Sequence, residues 1–281
     1  MQYLKRVSRL AALLVSVCFL IGCQTKEIEN NIVDTATQEK PFAITRFDKE
    51  VQWQEGKEID ISRQQEQITI VDGGAYLITG KCSGGIIVDA EDQNVHLFLD
   101  NVAIETKTGP AIWVRSAGKV VITLVDGSTN IISDYPSLEE GENADAALFC
   151  VTDLTINGHG DLEIYGYHKD AIYSKDVLKI LGGNITVRSK NDGIRGSDGV
   201  VLAPDSMSVE SEKTGVRTNN TGKSGKGSID ISGGNIEITA GEYGIRAAAD
   251  LYIEGANVIC QGVVEDIFAE GKKYIKSECI N

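Results

Sequence analysis

The sequence predicts an all-β protein that folds as a single-stranded parallel β-helix, a solenoid of about eight coils. Three observations lead to this fold class. A short motif recurs along the chain, runs of alternating apolar residues follow each copy, and no stretch after residue 22 keeps a helical period. Thirty glycines against four prolines exclude collagen and agree with a chain rich in tight turns.

The repeated motif consists of a small residue, an aliphatic residue, a variable residue and a small or apolar residue. It occurs seven times, with a spacing of 22 residues in two successive intervals and of 24 to 36 residues in the others. A base period with insertions is the signature of stacked repeats. The copies are Gly85–Val88, Ala111–Val114, Ala147–Cys150, Ala171–Ser174, Gly193–Gly196, Gly215–Thr218 and Gly244–Ala247.

Each period holds three short strands. Runs such as Leu178–Ile180 and Ile185–Val187 alternate between apolar and polar residues, and a Gly-Gly turn separates them. Strands this short cannot form a stable sheet within one repeat, so each must pair with the equivalent strand of the next repeat. Propeller blades need about 40 residues and four antiparallel strands, and leucine-rich repeats have a different consensus, so neither alternative fits.

The N-terminus has the pattern of a bacterial lipoprotein signal peptide. Three cations precede the apolar stretch Leu10–Ile21, and Gly22 and Cys23 follow it. The pattern predicts that residues 1–22 are removed, that Cys23 is lipidated, and that the protein is anchored in the cell envelope outside the cytoplasm. Gln24 favours the outer membrane if the cell has two membranes. We expect a flexible tether at residues 23–45 and the β-helix at residues 46–281, with membrane contact through the lipid only.

The net charge of the chain is −14, and loss of the three cations in the signal peptide makes it −17. Such an acidic body repels nucleic acid, which we exclude as a partner, and attracts divalent cations. Four cysteines remain in the body, Cys82, Cys150, Cys260 and Cys279, and none has the spacing of a zinc or redox motif. We interpret them as buried thiols, while a disulfide between Cys260 and Cys279 stays open.

Several stretches occur in an order that is typical of a known family. They are Ile68–Gly80, Gly85–Ala90 and Val95–Val102, together with the Asp-Gly-Ile and Gly-Gly-Asn-Ile repeats. Over about residues 46–262 the chain resembles a bacterial family of extracytoplasmic carbohydrate-binding proteins. The resemblance implies a right-handed parallel β-helix like that of polysaccharide lyases. It also implies bound calcium, affinity for plant polysaccharides such as cellulose and pectic acid, and no established catalysis.

The variable residue of each motif copy lies between two inward residues, so strand alternation predicts that it points outward. In successive coils these residues form a column that begins with aromatic and ends with basic side chains: Trp113, Phe149, Tyr173, Arg195, Arg217 and Arg246. Sugar rings stack on aromatic faces and guanidinium groups pair with uronate carboxylates, so an exposed column would hold one extended polysaccharide. The alternative is that these side chains fill a sheet surface or lie under the insertion at residues 126–146.

Two columns of acidic residues are candidate calcium ligands. Asp170 and Asp192 precede successive motif copies, and Asp176 and Asp198 follow these copies at the same period. Carboxylates stacked one coil apart can converge on a hard cation, and we rank the first pair ahead of the second. The alternative is turn chemistry, in which these carboxylates accept hydrogen bonds from turn amides.

A third column is polar and uncharged. Asn184, Ser206, Asn235 and Asn257 each stand at the start of a strand, in the turn before its apolar residues. Asparagine side chains in such turns bond backbone groups of adjacent coils. We therefore interpret this column as an internal polar ladder that belongs to the scaffold.

These observations leave three hypotheses for the function. The first is a noncatalytic protein that binds polysaccharide of the cellulose or polyuronate class. The second is a structural or adhesive surface protein. The third is a calcium-dependent, pectate-type polysaccharide lyase, for which Asp170, Asp192 and Arg195 would have to supply the calcium ligands and the base. Arginine is a poor base unless it is desolvated, and we do not expect catalysis.

Overall fold

The computed structural model describes residues 40–63, 66–135, 145–221 and 225–280. Within these residues the regular elements are strands and three short 3-10 turns, as the predicted all-β class requires. The turns are Arg46–Asp48, Ile61–Arg63 and Ser277–Cys279. The strands are Lys57–Asp60, Ile68–Ile70, Gly74–Cys82, Ile86–Glu105, Ile112–Leu124, Thr129–Ser133, Ala146–Cys150, Leu154–Gly158, Asp161–Gly166, Asp170–Ser174, Val177–Ile180, Asn184–Ser189, Ile194–Gly196, Gly199–Leu202, Ser206–Ser211, Val216–Arg217, Ser228–Ile231, Asn235–Ala240, Tyr243–Ala247, Leu251–Ile253, Asn257–Gly262, Glu265–Ala269 and Lys273–Ile275. None of the described segments is a helix long and apolar enough to cross a bilayer.

Every strand pairs in parallel with the equivalent strand of a neighbouring coil, which makes the chain a parallel β-helix. The register repeats at the period found in the sequence: Ile172 pairs with Ile194, and Ile194 pairs with Val216. The long strands Ile86–Glu105 and Ile112–Leu124 turn corners and contribute to more than one face.

The pairings define three faces of the solenoid. Face A contains the motif strands, from Ile68–Ile70 through Ala146–Cys150 and Asp170–Ser174 to Glu265–Ala269. Face B contains the second strand of each coil: Leu154–Gly158, Val177–Ile180, Gly199–Leu202, Ser228–Ile231, Leu251–Ile253, Lys273–Ile275 and the strand segments that stack before them. Face C contains the third strand: Thr129–Ser133, Asp161–Gly166, Asn184–Ser189, Ser206–Ser211, Asn235–Ala240, Asn257–Gly262 and the end of Ile86–Glu105.

The interior is filled by aliphatic columns. Ile172, Ile194, Val216 and Ile245 lie in register on face A, and each is completely buried. Full burial of such a side chain stabilises the fold by roughly 1.5–3 kcal/mol. The alternation of inward and outward residues that the sequence predicts therefore accounts for the core.

The small first residue of the motif has a steric cause. A Cβ added to Gly193 would lie 2.7 Å from the carbonyl oxygen of Gly215, and one added to Gly215 would lie 2.6 Å from that of Gly244. Both distances are too short for a carbon beside backbone that cannot move independently. Each of these coils thus needs a glycine so that the next coil can approach.

The four cysteines of the body are free thiols, as interpreted from the sequence. Cys150, Cys260 and Cys279 are buried, and Cys82 is half-buried. Burial raises the pKa of the Cys150 and Cys260 thiols to about 12, so neither is a reactive thiolate at neutral pH.

Residues 40–53 form a segment that crosses face B, which we call the strap. Lys40 pairs with Asp230 at 2.9 Å, and the carbonyl oxygen of Ala43 accepts a hydrogen bond from Lys179 at 2.7 Å. At the other end of the strap the Trp53 ring packs edge-on against Phe98, with 5.2 Å between the centroids. Residues 40–45, which the sequence analysis assigns to the tether, contact face B through Lys40 and the Ala43 carbonyl oxygen.

Asp48 holds the middle of the strap. This side chain is completely buried, and its carboxylate accepts hydrogen bonds from Lys119, from Thr155 Oγ1 at 2.6 Å and from Lys179 Nζ at 3.0 Å. Asn157 Nδ2 donates a hydrogen bond to the Asp48 carbonyl oxygen at 3.0 Å. Lys179 and Thr155 are outward residues of face B that the strap buries, so the middle of this face is not a free surface.

Candidate functional site

The outward column predicted from the motif exists. Strand pairing on face A joins Trp113 to Phe149, Phe149 to Tyr173, Tyr173 to Arg195, Arg195 to Arg217 and Arg217 to Arg246. Phe268 continues the column after Arg246. The aromatic members form a cluster of their own, separate from the main core, as outward side chains should.

The expectation that the aromatic part of this column is exposed is wrong. Phe149 is 1% exposed and Tyr173 is 8% exposed, while Trp113 is half-buried. The rings of Phe149 and Tyr173 stack on each other with centroids 5.3 Å apart, and the Arg195 guanidinium lies over the Tyr173 ring at 3.6 Å. Neighbouring side chains thus cover the ring faces that a sugar would need.

The arginines and the first acidic column belong to one network. Arg195 Nη2 lies 2.7 Å from Asp170 Oδ2, and Arg217 Nη1 lies 3.1 Å from Asp192 Oδ2. Both carboxylates are completely buried, and the like charges of the stacked arginines are offset by these acids. Carboxylates that neighbour the column, and not a bound anion, therefore explain why two arginines can stack here.

The Oδ1 oxygens of Asp170 and Asp192 also accept hydrogen bonds. Asp170 Oδ1 accepts hydrogen bonds from Asn191 Nδ2 at 2.6 Å and from the Asp192 amide at 3.1 Å, and Asp192 Oδ1 accepts one from the Thr214 amide at 3.2 Å. Burial raises the pKa of Asp170 to about 6 although Arg195 opposes the shift. Asp170 and Asp192 are therefore ion-pair partners of arginines and turn acceptors, which disfavours them as the first-ranked calcium ligands.

Arg246 differs from the two arginines before it. Its guanidinium lies 5.0 Å from the Tyr243 ring and 5.8 Å from the Phe268 ring, and it is half-buried. Within the described part of the chain it makes no ion pair with a carboxylate. It is the member of the predicted column whose charge is available to a ligand.

The second acidic column contains a hydrogen-bonded pair of carboxyl groups. Asp176 and Asp198 lie close enough for a hydrogen bond between their carboxyls, and burial together with this neighbour raises the pKa of Asp176 to about 6. Asp198 also accepts hydrogen bonds from Lys226 and from Asn220 Nδ2 at 2.5 Å. Across the described residues no three His, Cys, Asp or Glu side chains converge in a way that could hold a metal ion.

Face C presents polar ladders to the outside. Asn184, Asn235 and Asn257 are exposed and Ser206 is half-buried, so the interpretation of this column as internal is wrong. The ladder itself exists, because Ser206 Oγ donates to Asn184 Oδ1 at 2.8 Å and Asn184 Nδ2 donates to Asp161 Oδ1 at 2.9 Å. These side chains start their strands at the sheet edge, where the first residue points away from the core. A shallow cavity of about 300 Å³ follows the ladder.

A second cavity on face C was missed by the sequence reasoning. It measures about 440 Å³, and Tyr165, Tyr167, Arg188 and Glu210 contribute to its lining. Tyr165, Arg188 and Glu210 are in register in three successive coils. The alternation argument used for the motif strands also predicts these outward positions when it is applied to the third strand of each coil.

Similarity to known proteins agrees with this architecture. A family model described as "Carbohydrate-binding domain-containing protein" matches residues 64–273. The chain belongs to this family. A carbohydrate-binding domain-containing protein of Acetivibrio thermocellus is 32% identical over 135 residues, which are 46% of this chain and 47% of that protein. The chain thus matches about half the length of this curated relative.

A solved structure is similar over most of this carbohydrate-binding domain protein. It is that of a polysaccharide lyase-like protein from C. thermocellum, in a gadolinium derivative, with a TM-score of 0.74 and 28% sequence identity. The match covers 79% of this chain and 97% of the other. Both the resemblance found in the sequence and the parallel β-helix are confirmed, and carbohydrate binding is the function that the family supports.

Proposed function

We propose that this protein is a noncatalytic, polysaccharide-binding lipoprotein of the cell envelope that takes plant-type or acidic polysaccharide. Membership of the carbohydrate-binding family supports the ligand class. The observation that carries acidic polysaccharide as a ligand is Arg246, a half-buried cation beside two aromatic rings that pairs with no described carboxylate. A guanidinium in such a place can bind a uronate carboxylate bidentately, while the rings pack against the sugar.

The ion pairs of the column favour binding over cleavage. A lyase needs a base beside the uronate to remove a proton, and Arg195 is the candidate base of the column. The Asp170 carboxylate 2.7 Å away and the Tyr173 ring beneath it stabilise the guanidinium in its charged form. A permanently protonated group cannot accept a proton, so Arg195 is unsuited to that step.

Calcium remains part of the proposal only at Asp176 and Asp198. Two carboxyls that share a hydrogen bond would both ionise beside a divalent cation, and Lys226 now supplies part of that charge compensation. The gadolinium derivative of the similar protein is compatible with a hard cation in this fold. The ligand set would need carbonyl or water oxygens in addition to the two carboxylates.

Attachment to the envelope is proposed from the sequence pattern at Cys23, which lies outside the described residues. Lys40, the first described residue, pairs with Asp230 on face B, so the chain between Cys23 and Lys40 would lead from the lipid to this face. Replacement of Cys23 by Ser should release the protein from the membrane fraction and abolish incorporation of labelled fatty acid. Retention of the label in that variant would contradict lipidation at this residue.

The binding proposal is tested by titrating the full chain with polygalacturonate and with a neutral β-1,4-glucan, with and without a calcium chelator. Arg246→Gln should weaken polygalacturonate binding by about tenfold, the effect of losing one charge-assisted contact. Lys107→Gln, which removes an exposed cation elsewhere, is the matched control and should leave it unchanged. Absence of binding to every polysaccharide, or release of unsaturated products that absorb in the ultraviolet, would reject the noncatalytic proposal.

A further inference from the structure

Face C carries an aromatic and charged groove that the proposed function does not use. Tyr165 and Tyr167 lie at one side of it, with nearly parallel rings at an interplanar angle of 11° and centroids 5.6 Å apart. Tyr167 is 47% exposed, whereas Phe149 and Tyr173 of the predicted column are buried. The groove therefore offers an aromatic surface that the column on face A does not.

The polar lining of the groove is built from two rows of opposite charges. Arg188 Nε lies 3.3 Å from Glu210 Oε2, and Lys190 Nζ lies 3.7 Å from Glu212 Oε1, with all four side chains well exposed. Exposed ion pairs of this kind contribute little to stability, so they can exchange partners with a ligand at small cost. Guanidinium, ammonium and carboxylate groups together supply both donors and acceptors for sugar hydroxyls.

The charges decide which kind of polysaccharide suits the groove. Arg188 and Lys190 are matched by Glu210 and Glu212, and Glu163 adds another carboxylate through its hydrogen bond with Tyr165 at 2.7 Å. A polyuronate would meet excess negative charge at this place, whereas a neutral chain would not. The geometry points to a binding site for a neutral polysaccharide, whose pyranose faces stack on Tyr167 and whose hydroxyls bond the paired charges.

The proposal rests on the proposed polysaccharide binding and adds the place and the ligand class. Tyr165, Arg188 and Glu210 occupy successive rungs, which in a parallel sheet lie about 4.8 Å apart. A rung spacing of this size is close to the length of one sugar unit in an extended β-linked chain. A neutral chain that follows the solenoid axis thus meets one outward side chain of this row at each sugar.

The test is titration of the full chain with a soluble β-1,4-glucan oligosaccharide, compared with an oligogalacturonate. Tyr167→Ala should weaken glucan binding at least about tenfold, because the stacking surface is lost. Tyr167→Phe keeps the ring and should stay within about twofold of the wild type. Phe47→Ala removes an exposed aromatic ring of the strap on face B and is the matched control. Glucan affinity should be nearly independent of salt, unlike that of a charged ligand. Because Tyr167 is exposed, its replacement leaves the core intact, which thermal unfolding verifies.

The possible outcomes separate this inference from the proposed function. If the wild type binds glucan and Tyr167→Ala binds it equally well, the groove is not the site, and polysaccharide binding stands. If the wild type binds only the acidic oligosaccharide, the neutral ligand class is wrong, and polysaccharide binding again stands. If the wild type binds no polysaccharide at all, the proposed function fails and this inference fails with it.

Discussion

Replacement of Asp48 by Asn should loosen the strap from face B. The change keeps the size of the side chain and removes the charge that faces Lys119 and Lys179. The side chains of these lysines are 13% and 8% exposed, so each would be left with little water in place of its partner. Loss of one member of a buried ion cluster leaves the other charges uncompensated.

The size of the effect follows from that burial. Breaking a buried ion pair costs about 3–5 kcal/mol, and we expect the lower end, about 3 kcal/mol, because both ammonium groups can move toward water. The destabilisation caused by Asp48→Asn cannot exceed the free energy with which the strap binds face B. Once the strap has detached, water reaches Lys119 and Lys179, and no further cost arises. A loss of this size lowers the melting temperature of a domain this large by roughly 6–12 °C.

The same substitution should change the pH dependence. Burial alone would raise the pKa of Asp48, but hydrogen bonds from Lys119, Thr155 and Thr45 outweigh it and lower the pKa well below 3.8. A lowered folded-state pKa contributes stability that is present above pH 3.8 and is lost as the pH falls below that value. The wild type should therefore lose strap contacts in acid, and the Asn variant should lack this part of the acid transition.

Trp53 provides the measurement, because its ring packs on Phe98 at the end of the strap. In a Trp113→Phe background, Trp53 fluorescence reports strap release during urea and thermal unfolding. Lys49→Gln, at the exposed neighbouring position, is the control and should behave like the wild type. Equal unfolding curves for Asp48→Asn and the wild type at neutral pH would refute the conclusion that the buried carboxylate holds the strap.

Three further predictions concern the solenoid. Burial raises the pKa of Asp134 from 3.8 to about 7. The stability that the protonated Asp134 side chain contributes is therefore lost as the pH rises toward 7. Asp134→Asn should raise the unfolding free energy by up to about 4 kcal/mol at pH 8 and little at pH 4. Gly215→Ala should cost about 1–3 kcal/mol in urea unfolding because its Cβ meets the Gly244 carbonyl oxygen at 2.6 Å, whereas Gly233→Ala, with 3.6 Å to its nearest neighbour, should be tolerated. Phe149→Ala should lower the unfolding free energy by about 3–5 kcal/mol, as for a core residue; a loss near zero would instead mean that the ring is exposed.

The fold was predictable from the sequence because the repeated motif and the alternation of apolar and polar residues recur together in successive coils. The motif copies at Ile172, Ile194 and Val216 pair in the register that their spacing predicts. Alternation then decides which side chains point inward, and this holds for the core columns and for the outward column of face A. A period of 22 residues repeated in succession leaves few other ways to stack such short strands.

The site was less predictable from the sequence. Strand alternation predicts whether a side chain points outward, but it does not predict whether neighbouring side chains then bury it. Phe149 and Tyr173 point outward as expected, yet their neighbours bury them. Asp170 pairs with Arg195, which stands 25 positions later in the sequence, and spacing alone does not reveal whether a stacked acid faces a cation or a metal. The exposed Tyr167 follows its strand and has no place in the repeated motif.

The strap also limits how this molecule can vary in length. It touches the solenoid at Phe98 through Trp53, at Thr155 through Asp48 and at Asp230 through Lys40, so a peptide of constant length spans a fixed number of coils. One extra 22-residue unit between Phe98 and Asp230 would move the two ends apart by about 4.8 Å and break a contact. A unit gained after Asp230 would leave all three contacts in place. Evolutionary growth and engineered extension should therefore be tolerated beyond the strapped coils and selected against within them.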